Sequence, residues 1–327
     1  MRKLLNFSTH PGEPELFDDD WRQIAAFVRG QGFDGLELLP VGAYPFDRIP
    51  RPLIHGLHLR FFVFLQAFWQ GREQELLALF GSMDNVRRFY GGTDPECLVR
   101  AYGAQFELAH RLGCRYVVFH PVQCDLAHIH DWNFPWHWRQ TLDICSEILN
   151  GALAVSSYRG LLLFENLWWP GSFRLHDPAE YDYLRRRIHH DHCGIVLDTA
   201  HLLHSRQGFT READAVRYLL KAVAELGALT REIRAIHLTC GLSGDYIRES
   251  RTAAAPAAGK DFWQRLAAAR RHVNRIDPHE PFTDPAIGAL FDLVEPEDVV
   301  FEFTFREKAA WREKIAIQKK ALEDVLW

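Results

Sequence analysis

Several short apolar runs in the sequence end at a residue that can bind a metal ion. His120, Glu165, Asp198, His237 and Glu302 each follow such a run. Continuous apolar runs bounded by polar residues are typical of strands that are buried on both faces. In a parallel barrel the carboxyl ends of all strands open onto one face, so we expect these five side chains to converge. The pattern predicts a metal site at that face.

Asp198 and His201 form the sharpest local motif, because they lie three positions apart at the end of an apolar run. If the chain turns into a helix after Asp198, both side chains can contact one ion, and a carboxylate with an imidazole suits Zn²⁺, Mn²⁺ or Fe²⁺. The alternative is that Asp198 caps the helix while His201 is merely packed. The sequence leaves both interpretations open.

Glu165 and Glu302 also follow apolar runs, and burying a carboxylate is costly unless it is paired or bound to a cation. The alternative for Glu165 is a structural pair with an arginine. Together with Asp198 and His237, the two glutamates form a predicted cup of three carboxylates and one imidazole. We expect this set to bind Mn²⁺, Mg²⁺, Co²⁺ or Zn²⁺.

Further potential ligands surround this four-residue cup. They are His58, His120, His201, Asp277 and His279. So many groups converging without a metal would be unfavourable, because carboxylates repel one another and buried imidazoles need partners. We therefore expect a second ion bound through His120 and Glu165, with Asp277 and His279 completing an outer site. The alternative is that the outer histidines bind substrate hydroxyl groups around a single ion.

Three more residues are candidates for a substrate pocket. Glu37, near the end of the second predicted strand, either orients a ligand histidine or pairs with an arginine. Trp168 and Trp169 follow Glu165 and either wall a pocket or pack against the barrel. Other chemistries have little support, because the sequence contains neither a glycine-rich phosphate loop nor a GxSxG motif.

Composition and charge narrow the class of protein. The 327 residues include 38 Lys and Arg against 43 Asp and Glu, and the net charge of -5 gives no basis for non-specific nucleic-acid binding. The six cysteines form no CxxC pair, as in proteins that keep reduced thiols in the cytoplasm. No segment has the length that spanning a membrane requires. We expect a cytoplasmic protein with a small-molecule substrate, and the sequence leaves its oligomeric state open.

The order of predicted elements favours an α/β fold, a (β/α)₈ TIM barrel forming one domain over residues 1–327 with long loops after its strands. Besides the five runs above, strands are predicted at residues 4–7, 35–39 and 57–64. Residues 40–55 contain four prolines and predict no regular helix. The strand ending at His237 opens a predicted long loop, with a mobile segment at residues 253–258. Helices are predicted at residues 17–29, 74–92 (helical or lid-like), 95–112, 136–156, 178–188, 211–226, 262–272 and 308–326.

Seven motifs, in order along nearly the whole chain, resemble those of xylose isomerase-like TIM-barrel proteins. The motifs lie at residues 32–37, 119–121, 163–166, 197–201, 236–238, 277–282 and 301–302. This superfamily contains sugar and sugar-phosphate isomerases and epimerases, inosose dehydratases and endonuclease IV. The resemblance is specific for the superfamily and for a metal site, and it says less about the reaction.

Resemblance to the epimerases implies one divalent ion, often Mn²⁺, bound by Glu165, Asp198, His237 and Glu302. It also implies that Glu165 and Glu302 move a proton at carbon beside a metal-polarised carbonyl. We count His201 as a third catalytic candidate. The resulting hypothesis is a metal-dependent isomerase or epimerase acting on a small hydroxylated or sugar-phosphate-like substrate.

Resemblance to endonuclease IV implies instead that all nine potential ligands hold up to three Zn²⁺ ions for phosphodiester cleavage. A third alternative is a multinuclear iron oxidase of similar fold, and a fourth is a non-enzymatic binding protein. We therefore expect one to three ions of Mn, Zn, Fe or Co. The chain departs from well-characterised ketose epimerases, which have a Glu and an Arg where this sequence has Gly171 and Ser243. The loop between His237 and Asp277 is also far longer than in endonuclease IV.

Overall fold

Eight parallel strands close into a barrel, and each strand pairs with its neighbours in chain order, so that β1 pairs with both β2 and β8. The computed structural model describes residues 1–206, 208–252 and 261–327. The predicted (β/α)₈ barrel is confirmed. The predicted mobile segment at residues 253–258 lies outside the described residues. The strands are β1 Arg2–Ser8, β2 Gly35–Leu39, β3 Ile54–His58, β4 Tyr116–Phe119, β5 Leu161–Glu165, β6 Cys193–Asp198, β7 Ile233–His237 and β8 Asp298–Phe301.

Helices follow the strands and cover the outside of the barrel. Short 3₁₀ turns lie at Pro14–Phe17, Phe46–Arg48, Arg51–Leu53, Gly227–Glu232 and Pro285–Ala289. The α-helices of the described residues are α1 Trp21–Gly30, α2 Leu65–Trp69, α3 Glu73–Phe80, α4 Met83–Tyr90, α5 Glu96–Leu112, α6 Trp138–Ala154, α7 Pro178–Arg185, α8 Thr199–Arg206, α9 Glu212–Glu225, α10 Gly244–Thr252, α11 Phe262–Ile276, α12 Leu290–Leu293, α13 Lys308–Ala321 and α14 Glu323–Leu326.

The barrel interior is filled by a small apolar cluster with one or two residues from most strands. Side chains alternate along a strand, so those beside the cluster point outward to the helices. Leu163 is an inward residue of β5, whereas Leu162 and Phe164 pack in the larger core between strands and helices. The inward cluster consists of Leu4, Tyr116, Val118, Leu163, Val196, Ala235 and Val300.

Two predictions for the loops after strands were wrong. The sequence predicts the third strand at residues 57–64, but β3 ends at His58. The apolar run continues past the strand because Phe62 and Phe64 are buried in the outer core, where the helices α2 to α4 cover them. The segment after His237 is predicted to be a loop, yet it contains the helix α10.

Insertions after β3 and β7 meet at the carboxyl end of the barrel. In a closed barrel of eight strands, β3 and β7 lie on opposite sides. Phe262 of α11 nevertheless contacts Phe80 of α3 with 4.3 Å between ring centroids. The indole Nε1 of Trp263 donates a hydrogen bond to Asn85 Oδ1 at 2.9 Å. These contacts join the two insertions across the end of the barrel.

Within the described residues, no helix combines the length and the hydropathy that crossing a lipid bilayer requires.

Candidate metal centre

The alternation of side chains explains why the predicted ligands converge. Each of five ligands lies two positions after an inward residue of its strand, so its side chain also points into the barrel. Leu163 precedes Glu165 in this way, and Val300 precedes Glu302. The same holds for Val118 and His120, Val196 and Asp198, and Ala235 and His237.

All nine predicted ligands lie in one connected group at the carboxyl end of the barrel, which we call the nine-residue cluster. Each member contacts at least one other through side-chain nitrogen and oxygen atoms within 4.0 Å. The cluster consists of His58, His120, Glu165, Asp198, His201, His237, Asp277, His279 and Glu302.

Glu165 occupies the centre of the cluster and is only 1% exposed. Its Oε2 lies 2.9 Å from His120 Nε2, 3.4 Å from His58 Nε2 and 3.3 Å from His237 Nδ1. Its Oε1 lies 3.1 Å from His201 Nδ1. The ionic partners of Glu165 among the described residues are therefore imidazoles, and the alternative of a structural pair with an arginine does not hold.

Helix capping by Asp198 does not exclude metal binding, because its two carboxylate oxygens have different surroundings. Its Oδ1 accepts a hydrogen bond from the backbone N–H of His201 at 2.7 Å and so caps α8. Its Oδ2 has no hydrogen-bond partner among the described residues and lies 3.6 Å from His201 Nδ1. The side chain of Asn166 bonds both backbone groups of Asp198, at 2.8 and 2.9 Å, and fixes the end of β6.

Glu37 orients the ring of His237 through its Nε2 atom. Its Nε2 lies 3.0 Å from Glu37 Oε1, and Tyr116 donates its hydroxyl to Glu37 Oε2 at 2.7 Å. The Nδ1 of His237 consequently faces the cluster and lies 3.0 Å from Glu302 Oε2. Of the two alternatives for Glu37, the geometry matches the one in which it orients a ligand histidine.

The outer part of the cluster is formed by Asp277 and His279. Asp277 Oδ2 lies 3.3 Å from His201 Nε2 and 3.5 Å from His279 Nε2. The side chains of His279 and Glu302 are 23% and 18% exposed, whereas the other members are at most 8% exposed. The cluster is therefore open to solvent on the side of these two residues.

Unsatisfied atoms in the cluster test whether a cation fits. One buried atom from each member of the four-residue cup has no hydrogen-bond partner among the described residues. These atoms are Glu165 Oε2, Asp198 Oδ2, His237 Nδ1 and Glu302 Oε2. Buried polar atoms are normally paired, so these orphaned atoms fit a cation, and the ligand atoms of three of the four residues, Glu165, Asp198 and His237, lie within 4.8 Å of one another.

The electrostatics of the carboxylates agree with this test. Burial raises the pKa of Asp198 to about 7. The charge of His201 opposes this rise, and repulsion from neighbouring carboxylates adds to it. Burial would also raise the pKa of Glu165, but the charges of His120 and His237 outweigh it and hold that pKa well below its usual range. The carboxylates thus compete for positive charge, which a cation would supply.

Two groups of three residues have the spacing of metal ligands. One is His58, His120 and Glu165, and the other is Glu165, Asp198 and His237; in each, the ligand atoms lie within 4.8 Å of one another. Glu165 belongs to both groups. A carboxylate has two oxygen atoms and can bridge two ions, so the arrangement suits more than one ion.

Aromatic side chains border the cluster. The ring of Trp168 lies 4.7 Å from that of His201, whereas Trp169 packs against Trp168 at 5.0 Å and against Trp132 at 5.3 Å. Trp168 therefore contacts a predicted ligand, and Trp169 packs against Trp168.

The sequence reasoning missed several residues of the site. Phe61 stacks on His120 with 4.5 Å between centroids and a 24° angle, and it is 42% exposed. His204 is buried beside Asp277, at 3.3 Å. His204 follows His201 by three positions, a spacing that places both on one face if the chain turns into a helix after Asp198, and this spacing was the available signal. Nothing in the sequence marks Phe61, which the apolar run places in a strand.

Comparisons with known proteins agree with the fold. The family model described as a xylose isomerase-like TIM barrel matches residues 25–251. Endonuclease IV from Thermus thermophilus has 16% sequence identity and a TM-score of 0.55, covering 99% of this chain and 100% of its own. A D-tagatose 3-epimerase-like protein has 13% identity and a TM-score of 0.51, covering 99% of this chain and 98% of its own. No curated protein matches the sequence.

Proposed function

The chain belongs to the xylose isomerase-like TIM barrel family, and from this membership we propose that it is a metal-dependent enzyme with at least two divalent ions sharing Glu165. We propose further that the reaction is hydrolysis of a phosphoester of a small molecule. The shared position of Glu165 carries this proposal, because clusters of two or more ions clamp the attacking and the leaving oxygen of a phosphoryl group. A single-ion isomerase needs only the four-residue cup.

We assign the following roles to the residues of the site. The nine-residue cluster would hold the ions, which supply Lewis-acid stabilisation of the phosphoryl oxygens. Glu302 lies at the open side with a side chain that is 18% exposed, and it would accept the proton of the attacking water. Glu37 would fix the orientation of His237. The insertions after β3 and β7, which contact each other across the end of the barrel, would exclude water there.

Two positions weigh against a ketose epimerase. Gly171 has a φ of 83°, and a Cβ there would lie 2.8 Å from the carbonyl oxygen of Trp136. A glutamate at this position would therefore be strained and blocked. The hydroxyl of Ser243 is engaged by His204 Nδ1 at 3.2 Å. The sugar contacts that ketose epimerases make from these positions have no counterpart here.

Metal content and hydrolysis together test the proposal. We expect the purified protein to contain two or three divalent ions per chain and to cleave bis(p-nitrophenyl) phosphate. Glu165→Gln should remove at least one ion and lower kcat by about 100-fold or more, because the charge of the bridging carboxylate is lost. The control is Glu180→Gln, a buried glutamate that accepts backbone hydrogen bonds from Arg174 and Leu175. One ion or none per chain in metal-replete protein would contradict the proposal.

The second candidate function is isomerisation or epimerisation by proton transfer, with Glu302 and Glu165 as base and acid. The partly exposed side chain of Glu302 favours it, because a catalytic base must reach the substrate. Solvent deuterium entering carbon of the product, with one Mn²⁺ per chain, would favour this reaction over hydrolysis. Two or three iron ions with uptake of O₂ would instead favour oxidation.

A further inference from the structure

His204 is a buried histidine that the nine-residue cluster does not include. It lies one turn after His201 on the same face of α8 and is 1% exposed. Its Nε2 is 3.3 Å from Asp277 Oδ1, and its Nδ1 is 3.2 Å from the hydroxyl oxygen of Ser243. The ring therefore links α8, which follows β6, to two residues of the segment that follows β7.

The chemistry of the partners fixes the tautomer of this ring. An ionised carboxylate can only accept, so Nε2 of His204 must carry the hydrogen that it donates to Asp277. Nδ1 of the neutral ring is then an acceptor, and Ser243 donates its hydroxyl to it. Both ring nitrogens are satisfied, and the ring has one orientation that satisfies them.

The packing around His204 also leaves it no freedom to move. A Cβ added at Gly241 would lie 2.2 Å from Cε1 and 2.6 Å from Nε2 of His204. The φ of Gly241 is not in the left-handed region, so the space taken by the imidazole is what requires glycine here. On another side, the ring of Trp168 contacts His204 edge-on at 5.6 Å.

This arrangement determines the orientation of the Asp277 carboxylate. Its Oδ1 is occupied by His204, so its Oδ2 is directed to His201 and His279. We propose that His204, held by Ser243, is a positioning residue that orients the Asp277 carboxylate toward an outer metal position formed with His279. This inference rests on the proposed metal centre, and it assigns a role to a residue that does not itself bind an ion.

Replacement of His204 by two residues of different chemistry tests this role. Leucine fills similar space without a donor, whereas the Nε2 of glutamine can replace the Nε2 of histidine. In a Zn²⁺ titration against a competing chelator, His204→Leu should weaken the most weakly bound ion about 10- to 100-fold, the range expected for partners of metal ligands. His204→Gln should restore most of that affinity, and the ions bound through Glu165 should keep their affinity in both variants.

A second pair of variants keeps the inference testable if His204→Leu does not fold. Gly241→Ala should displace the ring and weaken the same ion, whereas Gly30→Ala, where the structure leaves open space, should not. Wild-type affinity for every ion in both His204→Leu and Gly241→Ala would overturn this inference and leave the proposed function unaffected. If His204→Leu does not fold, wild-type affinity in Gly241→Ala overturns it. A wild-type protein that binds no metal would overturn the proposed function, and this inference with it.

Discussion

Glu37 of β2 and His237 of β7 form a hydrogen-bonded ion pair, with His237 Nε2 3.2 Å from Glu37 Oε2 and 3.0 Å from Oε1, although three strand pairings around the barrel separate their strands. The carboxylate accepts from Nε2, so the Nδ1 of His237 is turned toward Glu165 and Glu302. A residue that binds no ion in the proposed centre thus decides which nitrogen is presented to the ion.

The first prediction concerns this pair. Glu37→Gln removes the charge that makes His237 a stronger ligand, so we expect metal affinity to fall by about 10-fold or more. Tyr116→Phe is the matched control, since it removes one hydrogen bond to Glu37 and leaves the carboxylate in place. Chelator competition measures both variants. An unchanged affinity in Glu37→Gln, or an equal loss in Tyr116→Phe, would contradict the role assigned to Glu37.

The second prediction concerns Phe61, which stacks on the ring of His120. Phe61 is 42% exposed, so we expect it to contact the substrate. Phe61→Ala should raise KM several-fold while the metal content and the melting temperature stay close to those of the wild type. Leu77→Ala, at another exposed apolar residue, is the control. A lower metal content in Phe61→Ala would show that the ring mainly supports His120.

The third prediction concerns the ion pair that joins the first strand to the last. Arg2 donates to both carboxylate oxygens of Asp298, at 2.7 and 2.6 Å. Asp298 is buried, and Arg2→Ala would leave its charge unpaired. We expect a loss of about 3 kcal/mol in the free energy of unfolding, at the low end for buried pairs because the Arg2 side chain is 25% exposed.

Denaturant unfolding measures this loss. Arg115→Ala is the control, because the pair of Arg115 with Glu297 is half-exposed at 3.6 Å and should contribute less than about 1 kcal/mol. Equal losses in the two variants would show that burial of Asp298 is not the deciding factor.

The fourth prediction concerns Glu13, which accepts a hydrogen bond from the backbone N–H of Ser8 at 2.7 Å. Burial raises the pKa of Glu13 from 4.5 to about 7, although this hydrogen bond acts to lower it. The folded state therefore holds the proton more tightly, so the stability from Glu13 is complete below about pH 4.5 and is lost as the pH rises through 7.

Glu13→Gln imitates the protonated form at every pH. We expect it to raise the melting temperature above that of the wild type at pH 8 and to leave it nearly unchanged at pH 4.5. Glu15→Gln, at an exposed position in the same turn, should have little effect at either pH. A lower melting temperature of Glu13→Gln at pH 8 would show that Ser8 needs the charged acceptor.

The sequence by itself determined the barrel and most of the residues at its carboxyl end. Short apolar runs identify strands buried on both faces, and the period of two along a strand fixes the side to which its last residue points. Leu163 and Glu165 must therefore face the same way, as must Val196 and Asp198. These are local rules, and they hold wherever the strands sit in the barrel.

Tertiary structure alone decided how those residues meet. Whether Glu165 faces an arginine or imidazoles, and whether Glu37 supports a ligand, depends on strands that are distant in sequence. His204 acquires its role only because Asp277 and Ser243, both far along the chain, close around it. Phe61 is exposed because the chain leaves the barrel after His58, which the apolar run did not reveal. Contacts of this kind depend on three-dimensional packing, and no periodicity in the sequence encodes them.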